Sequence, residues 1–366
     1  MASEQAPSRT PERQEFYDRI APRYLAPLWE KLHQLVTAEP HDPCVPHIWR
    51  YDREVRPLLM QAGGLISAME ATRRVLILEN PGYQGQAQIT GSLFAGLQLI
   101  LPGEIALAHR HTQSALRFVI EGSGAYNAVD GERTAMHPGD FVITPSWTWH
   151  DHGHKGHGNG NAGNEPVVWL DGLDIPIVRL LNASFAEPGA ADTQIMTRPE
   201  GDSLARYGNN LLPVDWKPQV KTSPVFNYPY ARTGEALAAL SRNGDPDPYH
   251  GYKLRYVNPA TGGPAMPTIG TFVQLLPRGF AGLPYRSTDA SVYVCVEGTG
   301  ETRISLPESG EISLHWTPRD IFVVPGWMKH THHAAEDAVL FSFSDRPVQE
   351  ELGLWREMRG NLSYTI

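Results

Sequence analysis

Across residues 11–36 the apolar positions Phe16, Ile20, Tyr24, Leu28, Leu32 and Leu35 recur mostly three or four residues apart. That spacing places them on one helical face, which Pro22 and Pro27 should interrupt. The stripe is predicted to pack against the body of the protein or against another subunit. Residues 45–51 read as extended, and 54–68 as a second helix, with Pro57 tolerated in its first turn. The period then changes. From 75 to 181 short apolar runs alternate with Gly, Pro, Asn and Asp, the rhythm of short strands closing into a sandwich or barrel. The rhythm lapses over 183–248 apart from a short helix at 233–241, returns over 252–343, and gives way to a closing helix at 347–358.

The second strand-rich half repeats the first. Gln98, Gly103 and the Glu121-Gly122-Ser123-Gly124 turn are answered by Gln274, Gly279 and Glu297-Gly298-Thr299-Gly300, each 176 positions on. Asp140, Pro145, Trp147 and His150 are answered at 180 by Asp320, Pro325, Trp327 and His330. The four extra positions fit a longer hairpin loop around 306–310. Two copies of one module are therefore expected. The organisation is all-β dominated: an N-terminal helical and extended segment (1–72), a first β-barrel (73–185), a connection (186–250), a second barrel (251–346), and a C-terminal helix and tail (347–366).

Composition narrows the partners. A formal net charge of −9 and a pI near 5.9, with no basic run, speak against nucleic acid or an anionic membrane. The two cysteines, Cys44 and Cys295, lie far apart, and Cys295 sits in an apolar run as a small buried hydrophobe. Residues 1–12 lack the apolar core of a signal peptide, and no apolar run approaches membrane-spanning length. A soluble cytoplasmic protein with reduced thiols is expected.

Chemistry concentrates in the first module. His109 and His111 stand at i and i+2, so on a strand both imidazoles point to one side. With His150 from a later strand they make a face of three nitrogen ligands that leaves coordination positions open. At the matching places the second module has Tyr285 and Ser287, and Tyr293 where the first has Arg117. The first module should hold one metal per chain; the second should be structural. Arg117 is predicted to face inward, where its planar fork suits a carboxylate; the plain alternative is an ion pair with an acidic neighbour. His152 and Asp171 are candidates to move or orient a proton, against readings as a loop histidine and a turn cap. Gln98 precedes the His-x-His strand but has a counterpart, Gln274, and so serves either the site or the fold. Arg73 and Arg74 stand before the first strand, within reach of a cavity mouth or as surface charge. His154 and His157 belong to a Gly- and Asn-rich stretch, 153–163, expected to be a mobile loop.

The two blocks, Gly103 through Glu121-Gly122 and Gly139-Asp140 through His150, resemble the two motifs of the cupin family, and the duplication implies a bicupin. Residues 107–124 with Arg117, the string Trp169-Leu170-Asp171-Gly172-Leu173-Asp174-Ile175-Pro176 and Val45-Pro46-His47-Ile48-Trp49 are similar to gentisate 1,2-dioxygenases and their salicylate and 1-hydroxy-2-naphthoate dioxygenase relatives. The resemblance implies Fe(II) on His109, His111 and His150, with Arg73, Gln98, Arg117, His152 and Asp171 around a small aromatic hydroxy-acid substrate. It implies ring cleavage by dioxygen, commonly in a homotetramer. Ala115 stands where many cupins carry a glutamate ligand, which implies a three-histidine centre and argues against a manganese decarboxylase or isomerase. A non-catalytic binding cupin would not need this ligand set together with an inward arginine.

Overall fold

The computed structural model describes residues 10–155, 164–306, 310–360 and 362–365. Contacts divide the chain into two units, Met1–His41 and Asp42–Ile366. In the first, the helix Pro11–Ile20 begins at Thr10, whose Oγ1 accepts the Arg13 amide at 3.3 Å, and it stops ahead of Pro22. Short turns follow at Ala21–Arg23, Leu28–Glu30 and Leu32–Leu35. The Tyr17 hydroxyl ties them together, donating to Glu30 Oε1 at 2.6 Å and accepting from Trp29 Nε1 at 2.8 Å. None of these helices buries a residue.

The second unit opens with β1 (His47–Trp49), β2 (Val75–Ile77), β3 (Phe94–Ile100), β4 (Ile105–His111), β5 (Ala115–Glu121), β6 (Ala125–Val129), β7 (Glu132–Ala135), β8 (Phe141–Thr144), β9 (His150–His154) and β10 (Val167–Leu173). β11 (Ala186–Pro188) and β12 (Asn227–Tyr228) follow. β2 to β12 make the two sheets of the first barrel, in the orders β12-β8-β5-β10-β3-β2 and β11-β4-β9-β6-β7. The second barrel is built from β13 (Tyr252–Arg255), β14 (Gly270–Leu276), β15 (Phe280–Ala281), β16 (Tyr285–Ser287), β17 (Ser291–Glu297), β18 (Gly300–Ser305), β19 (Glu311–Trp316), β20 (Ile321–Val324), β21 (His330–Ala334), β22 (Ala338–Ser344), β23 (Glu357–Arg359) and β24 (Leu362–Thr365). Its sheets run β1-β20-β17-β22-β14-β13 and β19-β18-β21-β16-β23-β24, so β1 takes the edge that β12 takes in the first barrel.

Period-two patterning explains the packing. In β3, Ala95, Leu97 and Leu99 turn away from the first barrel's interior and, with Phe118, Phe141, Val168 and Leu170, meet Val292, Val294, Phe341 and Phe343 of the second. Phe118 and Phe341 stack across that contact at 4.1 Å. Each barrel also has its own interior cluster, around Trp169 in the first and around Trp316, Phe322 and Cys295 in the second. Both cysteines are buried free thiols.

Several expected boundaries move. The proposed 1–72 segment is not one piece, because from Asp42 onward the chain belongs with the barrels: β1 pairs with β20, and Leu59 of the helix Arg56–Leu65 enters the shared core. The 186–250 connection supplies β11 and β12 to the first barrel and contains the helices Asp202–Tyr207 and Tyr230–Arg242. The C-terminal helix is only Arg346–Glu351; β23 and β24 then complete a sheet instead of leaving a tail. Within 153–163, Gly153 and His154 lie on β9, while His157 falls outside the described residues, as do 307–309 of the longer hairpin loop.

Candidate metal centre

β4 carries the His-x-His pair, and its alternation works as predicted. Arg110 points the other way, donating to Glu187 Oε2 at 2.6 Å with its guanidinium over the Trp147 and Trp149 rings. A bulge in β4 between Ala106 and His109 resets the register so that His109 stands opposite His150 on β9. Trp147, in the left-handed region at φ 59°, donates its amide to His111 O at 2.7 Å and ties the far end of β4 to the turn that delivers His150. The three rings close to centroid separations of 5.2, 4.1 and 4.8 Å, with ligating nitrogens within 4.8 Å of one another.

Each imidazole is held by its own backbone. Nδ1 of His111 and His150 donates to Gln113 O at 2.8 Å and Thr148 O at 2.8 Å, and Nδ1 of His109 lies 3.2 Å from Leu107 O. Such bonds select the tautomer that leaves Nε2 unprotonated for a metal. Buried Nε2 of His150 has no hydrogen-bond partner among the described residues, as an atom reserved for a ligand should. Burial, together with the cations Arg73 and Arg117 and the neighbouring rings, pushes His109 down to about 3, His111 down to about 4 and His150 well below its ordinary value. All three are neutral donors near pH 7, and the set fits a divalent transition metal. Arg73 Nη2 also bonds Leu107 O at 2.8 Å and lies against His109 Nδ1. A guanidinium only donates, so this contact makes His109 Nδ1 an acceptor and opposes the Nδ1–H tautomer that Leu107 O would favour.

A second ring of groups surrounds the histidines. Arg117 on β5 faces inward, with Nη1 donating to Thr144 Oγ1 at 2.5 Å and Nε 3.4 Å from Asp171 Oδ1. Arg117 and Asp171 are cross-strand partners, so the sheet itself sets the pair. Burial raises Asp171 to about 6; Arg117, the Trp169 Nε1 bond at 3.1 Å and Arg73 pull against it. His152 is 1% exposed with neither ring nitrogen partnered among the described residues, its ring centroid lies 5.7 Å from those of His150 and Trp169, and it is held neutral by burial and by Arg117. Gln98 is buried on β3 opposite Trp169.

Relatives of the chain fit this centre. Residues 96–173, spanning the three histidines, match the model of the cupin domain. Gentisate 1,2 dioxygenase 1 of Aquipseudomonas alcaligenes is 54% identical over 98% of this chain and 100% of its own length. The chain belongs to the gentisate 1,2-dioxygenase family. A 5-aminosalicylate 1,2-dioxygenase of a Comamonas species is 36% identical over 93% of this chain and 88% of its own. Among solved structures, salicylate 1,2-dioxygenase from Pseudoaminobacter salicylatoxidans, crystallised as adducts with gentisate, superimposes with a TM-score of 0.89 at 30% identity, covering 99% of this chain and 98% of that one.

Within this family member, the arginines expected at the cavity mouth separate. Arg73 sits at the cluster, whereas Arg74 is buried in an ion pair with Glu104. His154 donates from Nε2 to Glu165 O at 2.8 Å and stands apart from the ligand cluster. Three neighbours escaped the sequence reading. Thr144 and Trp169 hold Arg117 and Asp171, and Asn127 on β6 stands directly across from His152, wholly buried with neither amide atom partnered among the described residues. A lone amide within the apolar strand Ala125–Val129 was the available signal.

Proposed function

We propose that the chain is an Fe(II)-dependent gentisate 1,2-dioxygenase that opens the ring of 2,5-dihydroxybenzoate, adding both atoms of dioxygen to give maleylpyruvate. The observation that carries this reading is the convergence of three neutral histidines beside an inward arginine in a chain 54% identical, end to end, to a protein of that name. Bound on His109, His111 and His150, the metal supplies Lewis acidity and a path for electrons between ring and dioxygen. The chain's own groups do the rest. Arg117, oriented by Thr144 and Asp171, holds the carboxylate and offsets anionic charge as the ring is oxidised. His152, neutral and unpartnered, accepts a proton from a ring hydroxyl, with Asp171 as the second acceptor. Gln98 and Arg73 line the substrate. Trp169 and its apolar neighbours keep water from the barrel floor.

The test is anaerobic loading with Fe(II), then gentisate and oxygen, following oxygen uptake and the ultraviolet absorbance of the opened ring. Uptake with gentisate, none with the protein lacking metal, is the expected result; no uptake by iron-loaded protein overturns the reading. Salicylate in a parallel cuvette tests the second reading, favoured by the 0.89 TM-score to salicylate 1,2-dioxygenase. We place the enzyme in the cytoplasm as a homotetramer, in keeping with the exposed Leu28, Leu32, Leu35 and Val36 of the N-terminal unit. No described helix is long and apolar enough to cross a membrane. A sedimentation mass of four chains is expected, and a monomer would reject that assembly.

A further inference from the structure

The second barrel has lost the metal ligands without closing its interior. Tyr285 and Ser287 occupy the places of His109 and His111, and with His330, Asp289 and Lys253 they line a narrow pocket with room for about 20 Å³. Lys253, Phe272, Tyr285 and Arg346 also line a wider recess of about 440 Å³, whose other charged lining is Arg255 and Arg359 against Asp245 and Asp247. Ligand pockets for small molecules measure roughly 300–1,000 Å³, so the recess is of ligand size and the pocket its water-sized floor.

The charges there are unequally matched. Arg359 is held by Asp247 at 2.9 Å and Glu357 at 3.3 Å, and Asp289 accepts Trp355 Nε1 at 2.8 Å. Arg346 uses Nε on Glu350 at 2.7 Å and stacks 3.8 Å over the Trp355 ring. Lys253 is different: its ammonium lies 5.1 Å over the Phe272 ring and has no hydrogen-bond or ion-pair partner among the described residues. Directly across the ladder from it, Gln274 is wholly buried with both amide atoms unpartnered among the described residues. Leaving a lysine of the recess wall without a partner, beside a buried unsatisfied amide, is unfavourable unless something fills the recess.

We propose that the second barrel is a metal-free binding site for a small aromatic carboxylate, held by Lys253 and Arg346 with its ring against Phe272 and Tyr285. Two cations in the lining of a recess select an anion, and the aromatic faces select a flat apolar body. Burial lowers Lys253 to about 8, helped by Arg346 and opposed by Asp289 and Asp247, so the ammonium persists at neutral pH and an arriving carboxylate stabilises it further. The site needs no hydroxyl for chelation. That separates it chemically from the histidine centre.

Benzoate, which carries the carboxylate and no hydroxyl, is the probe. Iron-loaded protein is treated with trinitrobenzenesulfonate and the Lys253 peptide is followed by mass spectrometry. Benzoate at roughly ten times its Kd should slow labelling of Lys253 about tenfold, in the wild type and equally in Arg117→Met. Labelling indifferent to benzoate overturns the proposal, as does protection that disappears with Arg117, since the effect would then originate in the first barrel. In equilibrium dialysis Lys253→Met should bind one equivalent of benzoate fewer per chain than the wild type, and Lys253→Arg should keep it. A Lys253→Met protein that binds as much as the wild type also overturns it, and the labelling result stands on unmutated protein if that variant misfolds.

Discussion

The two barrels share a scaffold and differ in lining. Their six-stranded sheets have matching order, β12-β8-β5-β10-β3-β2 against β1-β20-β17-β22-β14-β13, and the turns match to the dihedral: Trp147 and Trp327 at φ 59° and 64°, Gly103 and Gly279 at 84° and 76°. Trp327 even donates its amide to Ser287 O, as Trp147 does to His111 O. His330 keeps the place and backbone tether of His150, and buried His332 keeps that of His152. Where Arg117 reaches into the first barrel, Tyr293 stacks on Phe322 at 4.9 Å and helps fill the second. The fold therefore positions a site without specifying one. A few inward side chains decide whether a barrel presents a metal-ligand set.

The sharpest way to break the contrast is to remove one histidine from each barrel. Replacing His109, His111 or His150 with alanine should abolish metal retention and lower ring cleavage by about 10³-fold or more, since two imidazoles hold a catalytic metal poorly. His330→Ala should leave metal per chain unchanged by elemental analysis. Loss of an equivalent in His330→Ala, or full occupancy in His109→Ala, would falsify the division of labour.

The barrels differ inside but share a core, and Phe341 is its centre, stacked on Phe118 and packed near Phe141, Tyr256 and Phe343. Phe341→Ala should lower unfolding stability by about 3–5 kcal/mol in denaturant titrations, through lost burial and the cavity left behind. One cooperative transition should remain. Two separated transitions would mean that the barrels fold independently of that contact.

Arg117→Met tests the lining alone. Truncating one member of a buried, hydrogen-bonded charge pair costs about 2–5 kcal/mol, so kcat/KM for a carboxylate substrate should fall roughly 30- to 5,000-fold. Metal content should stay at the wild-type level. An unchanged kcat/KM rejects the carboxylate role and leaves Arg117 as the ion-pair partner of Asp171.

Much of this contrast was legible in the chain. The i, i+2 histidines, the repeat at 176 and 180, and the substitutions Tyr285, Ser287 and Tyr293 locate the candidate centre in one module from residue identity and period alone. What stayed hidden depends on long-range pairing. β1 reads as an isolated extended run, and nothing local reveals that its partner is β20, some 270 residues away. β23 and β24 are strands because an open sheet edge receives them, where the local pattern suggests the end of a helix and a tail. Asn127 gained its place only when β6 was laid beside β9. Lys253 stands out only after its register with Gln274 shows a cation without a partner.

The smallest expected effect concerns Asp171, which has no acidic counterpart in the second barrel's pairing: Arg117 faces Asp171 across the ladder, whereas Tyr293 faces Ser342. Burial raises this carboxyl from its ordinary value to about 6, Arg117 and the Trp169 bond restraining the rise. Below that pH it is protonated and neutral; above it, it is the carboxylate that orients Arg117 and accepts a proton. The kcat/KM profile for gentisate should therefore rise through an acidic limb centred near pH 6 and level off above it. Asp171→Asn fixes the neutral form in nearly the same shape, so the limb should vanish and activity at pH 7.5 should fall about tenfold, the worth of roughly one pKa unit of interaction. Metal content is the control and should not change. If the limb survives in Asp171→Asn with the same midpoint, the titrating group lies elsewhere and His152 alone takes the proton.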